Sequence, residues 1–317
     1  MSRFKEIDIG GVKTVSLGRR PSKAGIKAFG SRAPLAGARG FFDSLPDFLK
    51  ASDLKEFIGR VLAARRRRRP FQVMMGAHVI KVGLSPVIID LMKADVVTGL
   101  SFNSAGLIHE LELAFTGKTS EDVAAGLADG SFGMAARTGR LFGEVAALAG
   151  EEGIGLGEAA GVYINRRKAP FRAYSLLAAA DRYGCPATIH IAIGTDIVDQ
   201  QPGFDPAAAA EASYRDFKIL AEILTVADGG GVVANIGSAV LLPEVFLKAL
   251  TVARNIKKQK CNLTTANFDM IMHYRPTENV VRRPTQIGGR GYSFIGHHEL
   301  MIPLLAWGLK AFKKSQQ

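Results

Sequence analysis

FQVMMGAHVIKVGLSPVIIDLMKADVVTGLSF, residues 71–102, is the stretch that decides the fold. Phe71–Met75 is a short apolar run closed by Gly76, the pattern of a buried strand bounded by a turn residue. From Ser85 the pattern turns helical. Ser85 can cap the free amides, Pro86 suits a first helical position where its missing N–H costs nothing, and the helix runs to about Lys93. Residues 96–102 are a second strand. Strand, helix and strand in this order make a βαβ unit, and the right-handed crossover makes its two strands parallel.

The same alternation extends outward. Before the unit, residues 42–64 carry Leu45, Phe48, Leu49, Leu54, Phe57, Ile58, Val61 and Leu62 at spacings near three and four, which predicts a helix broken near Ala51. After it, a small-residue turn at 103–106 leads into a helix at 107–114. Thr119, Ser120, Glu121 and Asp122 resemble a capping box, and a break at 129–133 precedes a helix at 134–148. Further on, the pattern predicts a helix at 170–183 ended by Gly184, a strand at 187–193 and a helix at 214–226. A turn and strand region from Gly229 and a helix at 240–252 follow, then short strand material at 263–266 and 268–272 and a closing helix at 300–312. Strands alternating with helices predict an α/β fold with a doubly wound, mostly parallel, Rossmann-like sheet. Residues 1–41, rich in Gly, Arg, Ser and Pro without periodicity, read as an N-terminal arm, and residues 42–317 as a single α/β domain.

A chain of 317 residues that is 47% hydrophobic and 22% charged has ample material for a core and is neither disordered nor fibrous. Cys185 and Cys261 cannot form a disulfide framework, and the first residues lack the apolar segment of a secretory signal, so a cytoplasmic protein is expected. No apolar run approaches the roughly 18 residues of a membrane span. The 41 Lys and Arg against 29 Asp and Glu give +12, which raises nucleic acid, anionic membrane or an acidic partner as ligands. The basic clusters at 65–69, 254–260, 282–283 and 310–314 match no nucleic-acid module, and the 65–69 run reads as a solvated helix end or loop in preference to a dedicated RNA or DNA contact.

Ligands of an open parallel sheet bind beyond the carboxyl ends of its strands, so the chemistry is sought in the turns at 76–83, 103–110, 194–199 and 264–269. Small residues there admit phosphates, helix N-termini favour negative charge, and a strand-end acid can bind ribose hydroxyls. Neither GxGxxG nor GxxxxGK[ST] is present. His109 and Glu110 read either as an acid–base pair or as helix packing and capping. Asp196 and Asp199 are loop caps or ribose or substrate ligands. His190, in an apolar run, reads as a satisfied core histidine. His297 and His298 diverge and lack a third spaced ligand, so no metal is expected, and the two isolated cysteines read as structural.

The run at 76–113 (GAHVIKVGLSPVIIDLMKADVVTGLSFNSAGLIHELEL), the turn GGGVV at 229–233, the pair Thr265 and Ala266, and the ending LMIPLLAWGL at 300–309 together resemble deoxyhypusine synthase, colinearly from about residue 42. That family is a Rossmann-like homotetramer with active sites between subunits. It oxidises spermidine with NAD, carries the butylamine group as an enzyme lysine imine and delivers it to a lysine of a translation factor. The resemblance implies NAD contacts at Gly76, Ala77, His78, Ser104, Ala105, Gly106, Asp196, Thr265, Ala266 and His297. It implies a substrate-side acid at Glu110 and an aspartate at Asp199. Where the family carries its imine-forming Trp-Gly-Lys, this chain has no lysine from Cys261 to Leu309, and the family's histidine after GGGVV is replaced by Ala234 and Asn235. Arginine cannot form the imine because it stays protonated, which leaves Lys81 as the replacement or as an ordinary phosphate or surface lysine. The resulting expectation is an NAD-dependent enzyme with an altered substrate site, transferring hydride on an amine or related small molecule with or without group transfer. Its catalytic candidates are His109, Glu110, Asp199 and Lys81. A noncatalytic NAD-binding or assembly protein, and an aminobutyl transferase of deoxyhypusine or homospermidine type, are the alternatives. The residues name no protein acceptor.

Overall fold

The first strand of the βαβ unit lies at the centre of a six-stranded sheet, with the second beside it. In the computed structural model, which describes residues 37–257 and 261–314, the strands are β1 (Phe71–Met75), β2 (Gly99–Asn103), β3 (Ala187–His190), β4 (Val232–Ile236), β5 (Thr264–Asp269) and β6 (Arg290–Ile295). Their order is β3-β2-β1-β4-β5-β6 and every neighbouring pair is parallel. This is a Rossmann-like α/β sheet whose connections reverse direction between β1 and β4, so a crevice opens there beyond the carboxyl ends.

Both faces are covered, which is why β1 is buried at every position. Side chains alternate along β1. Phe71, Val73 and Met75 join the cluster fed by α2 (Leu49–Arg66), α4 (Ser85–Lys93) and α12 (His298–Lys314), whereas Met74 joins α10 (Pro206–Ala227) and α11 (Leu241–Lys257) on the opposite face. Phe57 of α2 anchors the first face, with the rings of Phe71, Phe268, Tyr292 and Phe294 at 5.6 to 6.2 Å. Between β2 and β3 run α5 (Ser104–Thr116), α6 (Val123–Asp129), α7 (Ala136–Glu152), α8 (Leu156–Arg166) and α9 (Leu176–Tyr183). Asp216 of α10 ties this insertion to the sheet: its buried Oδ2 accepts from Gly157 N at 2.9 Å and Ile189 N at 2.7 Å. His190 is a core histidine, 3.0 Å from Thr188 Oγ1, and burial pushes it down to about 3.

Several boundaries differ from the sequence expectation. The first helical stretch breaks at 45–48 rather than near Ala51, giving α1 (Ala38–Ser44) and α2. Residues 1–36 of the expected arm lie outside the described residues. Its end is helical because Phe41 and Phe42 pack on α12, Phe41 stacking on Trp307 at 5.4 Å. Residues 264–269, sought as a turn, are strand β5 itself. Arg65, at the start of the arginine run, closes α2 on Asp95 at 2.8 Å. Among the described residues no helix is long and apolar enough to cross a membrane, and no group of three His, Cys, Asp or Glu could hold a metal ion.

Candidate functional site

Parallel strands bring all six carboxyl ends to one edge. At the switch point the two central strands touch through backbone: Gly76 N donates to Ile236 O at 2.9 Å, and a Cβ on Gly76 would lie 2.2 Å from Gly237 O. Gly237 adopts φ 65°, and a Cβ there would lie 2.7 Å from the ring of His298. Both glycines are therefore dictated by close approach, the second also by its left-handed backbone.

His298, the first residue of α12, is 1% exposed. Its Nε2 faces Phe268 O at 3.3 Å, and a carbonyl can only accept, so Nε2 carries the proton. Nδ1 is then a bare lone pair, buried and without a partner among the described residues. Burial holds this imidazole below its ordinary pKa and so neutral at pH 7. The ring of His78, on the short helix α3 (His78–Lys81), stands 5.4 Å away. The packing behind the crevice thus contains a buried acceptor, His298 Nδ1, that lacks a donor among the described residues.

Beside it, off the ends of β2 and β3, lies a cavity of about 230 Å³ lined by Lys81, Ala105, Ile108, His109, Glu112, Glu121, Val123, Phe132, Asp196 and Ile197 among others. Within it His109, Thr119 and Glu112 form a relay. The Thr119 hydroxyl donates to Glu112 Oε2 at 2.6 Å, so its oxygen accepts from His109 Nδ1 at 2.5 Å. Thr138 fixes the other carboxylate oxygen at 2.8 Å. The relay fixes the tautomer, leaving His109 Nε2 as the free base nitrogen. Burial pulls the His109 pKa below its ordinary value, with Glu112 opposing and Lys81 reinforcing, so the ring is neutral and able to take a proton at pH 7.

The expected site residues divide accordingly. Gly76, Ala77 and His78 stand at the switch point, and Lys81, Ala105, His109 and Asp196 line the cavity. Ser104 begins α5 and donates to Asp196, while Gly106 N bonds the capping Asn103 side chain at 3.1 Å. Asp199 is a loop cap, its Oδ2 accepting from Gly194 N at 2.7 Å and Asp196 N at 3.1 Å. Glu110 is not paired with His109: successive helical residues diverge, and its buried carboxylate accepts from Ser175 Oγ at 2.6 Å and Leu177 N at 3.0 Å, locking α5 to the start of α9. Thr265 and Ala266 are buried within β5, away from the carboxyl edge. His297 is largely exposed and faces Glu299; the neighbouring His298 occupies the crevice instead. Glu112 escaped the sequence reading, though the i,i+3 spacing of His109 and Glu112 on one helix was a usable signal, and His298 entered it only beside His297 as a rejected metal ligand.

No family model matches this chain, and no curated protein matches it. Solved structures do match, at the level of the fold. A conserved LOR/SDH protein from Methanococcus maripaludis S2 aligns over 84% of this chain and 71% of its own at 12% identity, with a TM-score of 0.54. AgrE, solved as a ternary complex with ornithine and NAD+, aligns over 83% of this chain and 33% of its own at 14% identity, with a TM-score of 0.52. ArgZ, a cyanobacterial arginine dihydrolase of the ornithine–ammonia cycle, aligns over 83% and 32% at 13% identity, with a TM-score of 0.50. The chain therefore spans about a third of AgrE and of ArgZ. These neighbours overturn the resemblance to deoxyhypusine synthase: the shared pattern of strands and small-residue turns belongs to the doubly wound fold. The homotetramer implied by that resemblance, and the alternatives of a polyamine substrate and a lysine imine at Lys81, lose their basis with it. What the likeness establishes is a Rossmann-like fold shared with the LOR/SDH protein and with part of AgrE.

Proposed function

We propose that this chain is an NAD-dependent enzyme acting on a small amine, with the dinucleotide across the β1/β4 switch point and the amine in the adjoining cavity. The observation that carries the reading is the all-parallel β3-β2-β1-β4-β5-β6 order, whose switch-point crevice is where dinucleotides bind in such sheets. The residues present fit the group. Gly76 and Gly237 let the ends of β1 and β4 meet backbone to backbone under His298, and Ser238 and Ala239 lead into α11, whose N-terminal amides favour a pyrophosphate. His298 Nδ1 is an unpartnered acceptor for a ribose hydroxyl or carboxamide donor. AgrE, whose fold is similar, has been solved with NAD+ and ornithine, which supports the same pairing of ligands.

When bound, NAD+ would accept a hydride from the carbon bearing the amine. The chain's own part is proton handling and positioning. His109 Nε2 would take one proton from the substrate ammonium and so leave the neutral amine, the form whose carbon can give up a hydride. Glu112, through Thr119, holds the His109 tautomer that makes this possible.

Thermal unfolding with NAD+ and with NADH tests the cofactor reading. A ligand at a hundredfold excess over its Kd stabilises the native state by about 2.7 kcal/mol, so a saturable rise in Tm is expected. His298→Phe keeps a flat ring and removes the lone pair, and should weaken nucleotide binding by roughly three- to tenfold, the worth of one hydrogen bond. No shift with either nucleotide would overturn the proposal.

A further inference from the structure

The cavity off β2 and β3 contains three carboxylates and one lysine, so its net charge alone would favour a diamine. The hydrogen bonds say otherwise. Both Glu112 oxygens are held by Thr119 and Thr138, and both Glu121 oxygens accept from Gly133 N at 3.1 and 3.2 Å. Asp196 receives Ser104 Oγ and Thr195 Oγ1 on Oδ2, which leaves Oδ1 without a protein donor among the described residues. Lys81 Nζ has no hydrogen bond or ion pair among the described residues. The uncommitted charged groups are thus one ammonium and one carboxylate oxygen, beside the neutral His109 ring, in a cavity whose lining also includes the apolar Ile108, Val123, Phe132 and Ile197.

We propose that this cavity binds a free α-amino acid with an aliphatic side chain, Lys81 pairing with its carboxylate and Asp196 with its α-ammonium. A diamine would bring a second cation near the Lys81 ammonium and leave that ammonium without an acceptor, whereas a zwitterion satisfies both free groups at once. A cavity of about 230 Å³ is below the roughly 300–1,000 Å³ of drug-sized sites, which suits one small metabolite and excludes a dinucleotide. His109 lines the same space, so the α-amine of such a ligand is the group it would deprotonate. This inference names the substrate class for the amine-enzyme reading above and rests on it for chemistry, but its binding test needs no nucleotide.

The test is calorimetric titration of the full chain, without nucleotide, with L-norvaline and with n-butylamine, the same aliphatic amine lacking the carboxylate. L-norvaline is expected to bind at least tenfold more tightly than n-butylamine. Lys81→Ala should erase that preference, Lys81→Arg should retain most of it, and Asp196→Asn should weaken L-norvaline at least tenfold, with thermal unfolding checking that each variant folds. n-Butylamine binding as tightly as L-norvaline to the unmodified chain, no measurable L-norvaline binding, or a preference unchanged in Lys81→Ala would each overturn the proposal. Nucleotide binding in the face of such a result would leave the cofactor reading standing, and amino-acid binding without any nucleotide shift would sink only that reading.

Discussion

Gly76→Ala is expected to abolish the NAD-induced rise in Tm and to destabilise the fold by about 1–3 kcal/mol or more, the usual cost of overpacking. The added Cβ would sit 2.2 Å from Gly237 O and 2.9 Å from its carbonyl carbon, and backbone cannot rotate away as a side chain can. Relief requires the ends of β1 and β4 to part, which breaks the Gly76 N to Ile236 O bond and reshapes the crevice. Gly83→Ala is the matched control. Gly83 has φ 76° with open space around it, so alanine there should cost about 1–2 kcal/mol of backbone strain and leave nucleotide binding intact. Urea unfolding and nucleotide titration of both variants check this; normal NAD binding by Gly76→Ala would place the cofactor elsewhere.

Glu110→Gln should gain on the unmodified protein as pH rises. Burial raises the Glu110 carboxyl from 4.5 to about 7, against the lowering effect of its bonds to Ser175 and Leu177. The folded state therefore holds a proton that the unfolded chain has released. The stability this lends is full below about pH 4.5 and lost as pH climbs to about 7, a loss of order 3 kcal/mol. Asp216, also raised to about 7 by burial, acts with the same sign, and His190, lowered to about 3, acts with the opposite sign, gaining stability up to about its ordinary 6.5. The difference between variant and unmodified protein isolates Glu110. Urea unfolding at pH 5 and pH 8 should show that difference shifting towards the variant, whereas parallel profiles would contradict it. Glu110→Ala should be destabilised at every pH, because a buried donor left unpaired costs about 1–3 kcal/mol.

How much of this was legible depended on local signals. Strand β1 was readable to the residue, because an apolar run ends abruptly at Gly76. Strand β2 begins three residues later than its apolar run suggests, since Val96 and Val97 are buried in the approach to the sheet rather than paired in it. Helix α8 went unseen. Its Gly157 and Gly161 lower helix propensity, yet a Cβ at either would strike Ala187 O or Leu177 O within 2.5 Å. Strand β6 was hidden likewise by Gly288, Gly289 and Gly291, which read as a loop; a Cβ on Gly291 would meet Val281 O at 2.2 Å. Strand order is set by which strands pair across long connections, above all the crossing of α10 from β3 to β4, and no local pattern encodes it. For the same reason His297 and His298 could not be told apart: adjacent residues differ only in which way the start of α12 turns them.

Hydrogen-exchange mass spectrometry with and without saturating NAD+ tests the switch-point claim most directly, because it reports where the nucleotide binds as well as whether it binds. Slowed exchange is predicted in peptides covering residues 76–81, 237–242 and 296–301, which meet at the crevice. Protection confined to other parts of the chain, or none at all, would contradict the account.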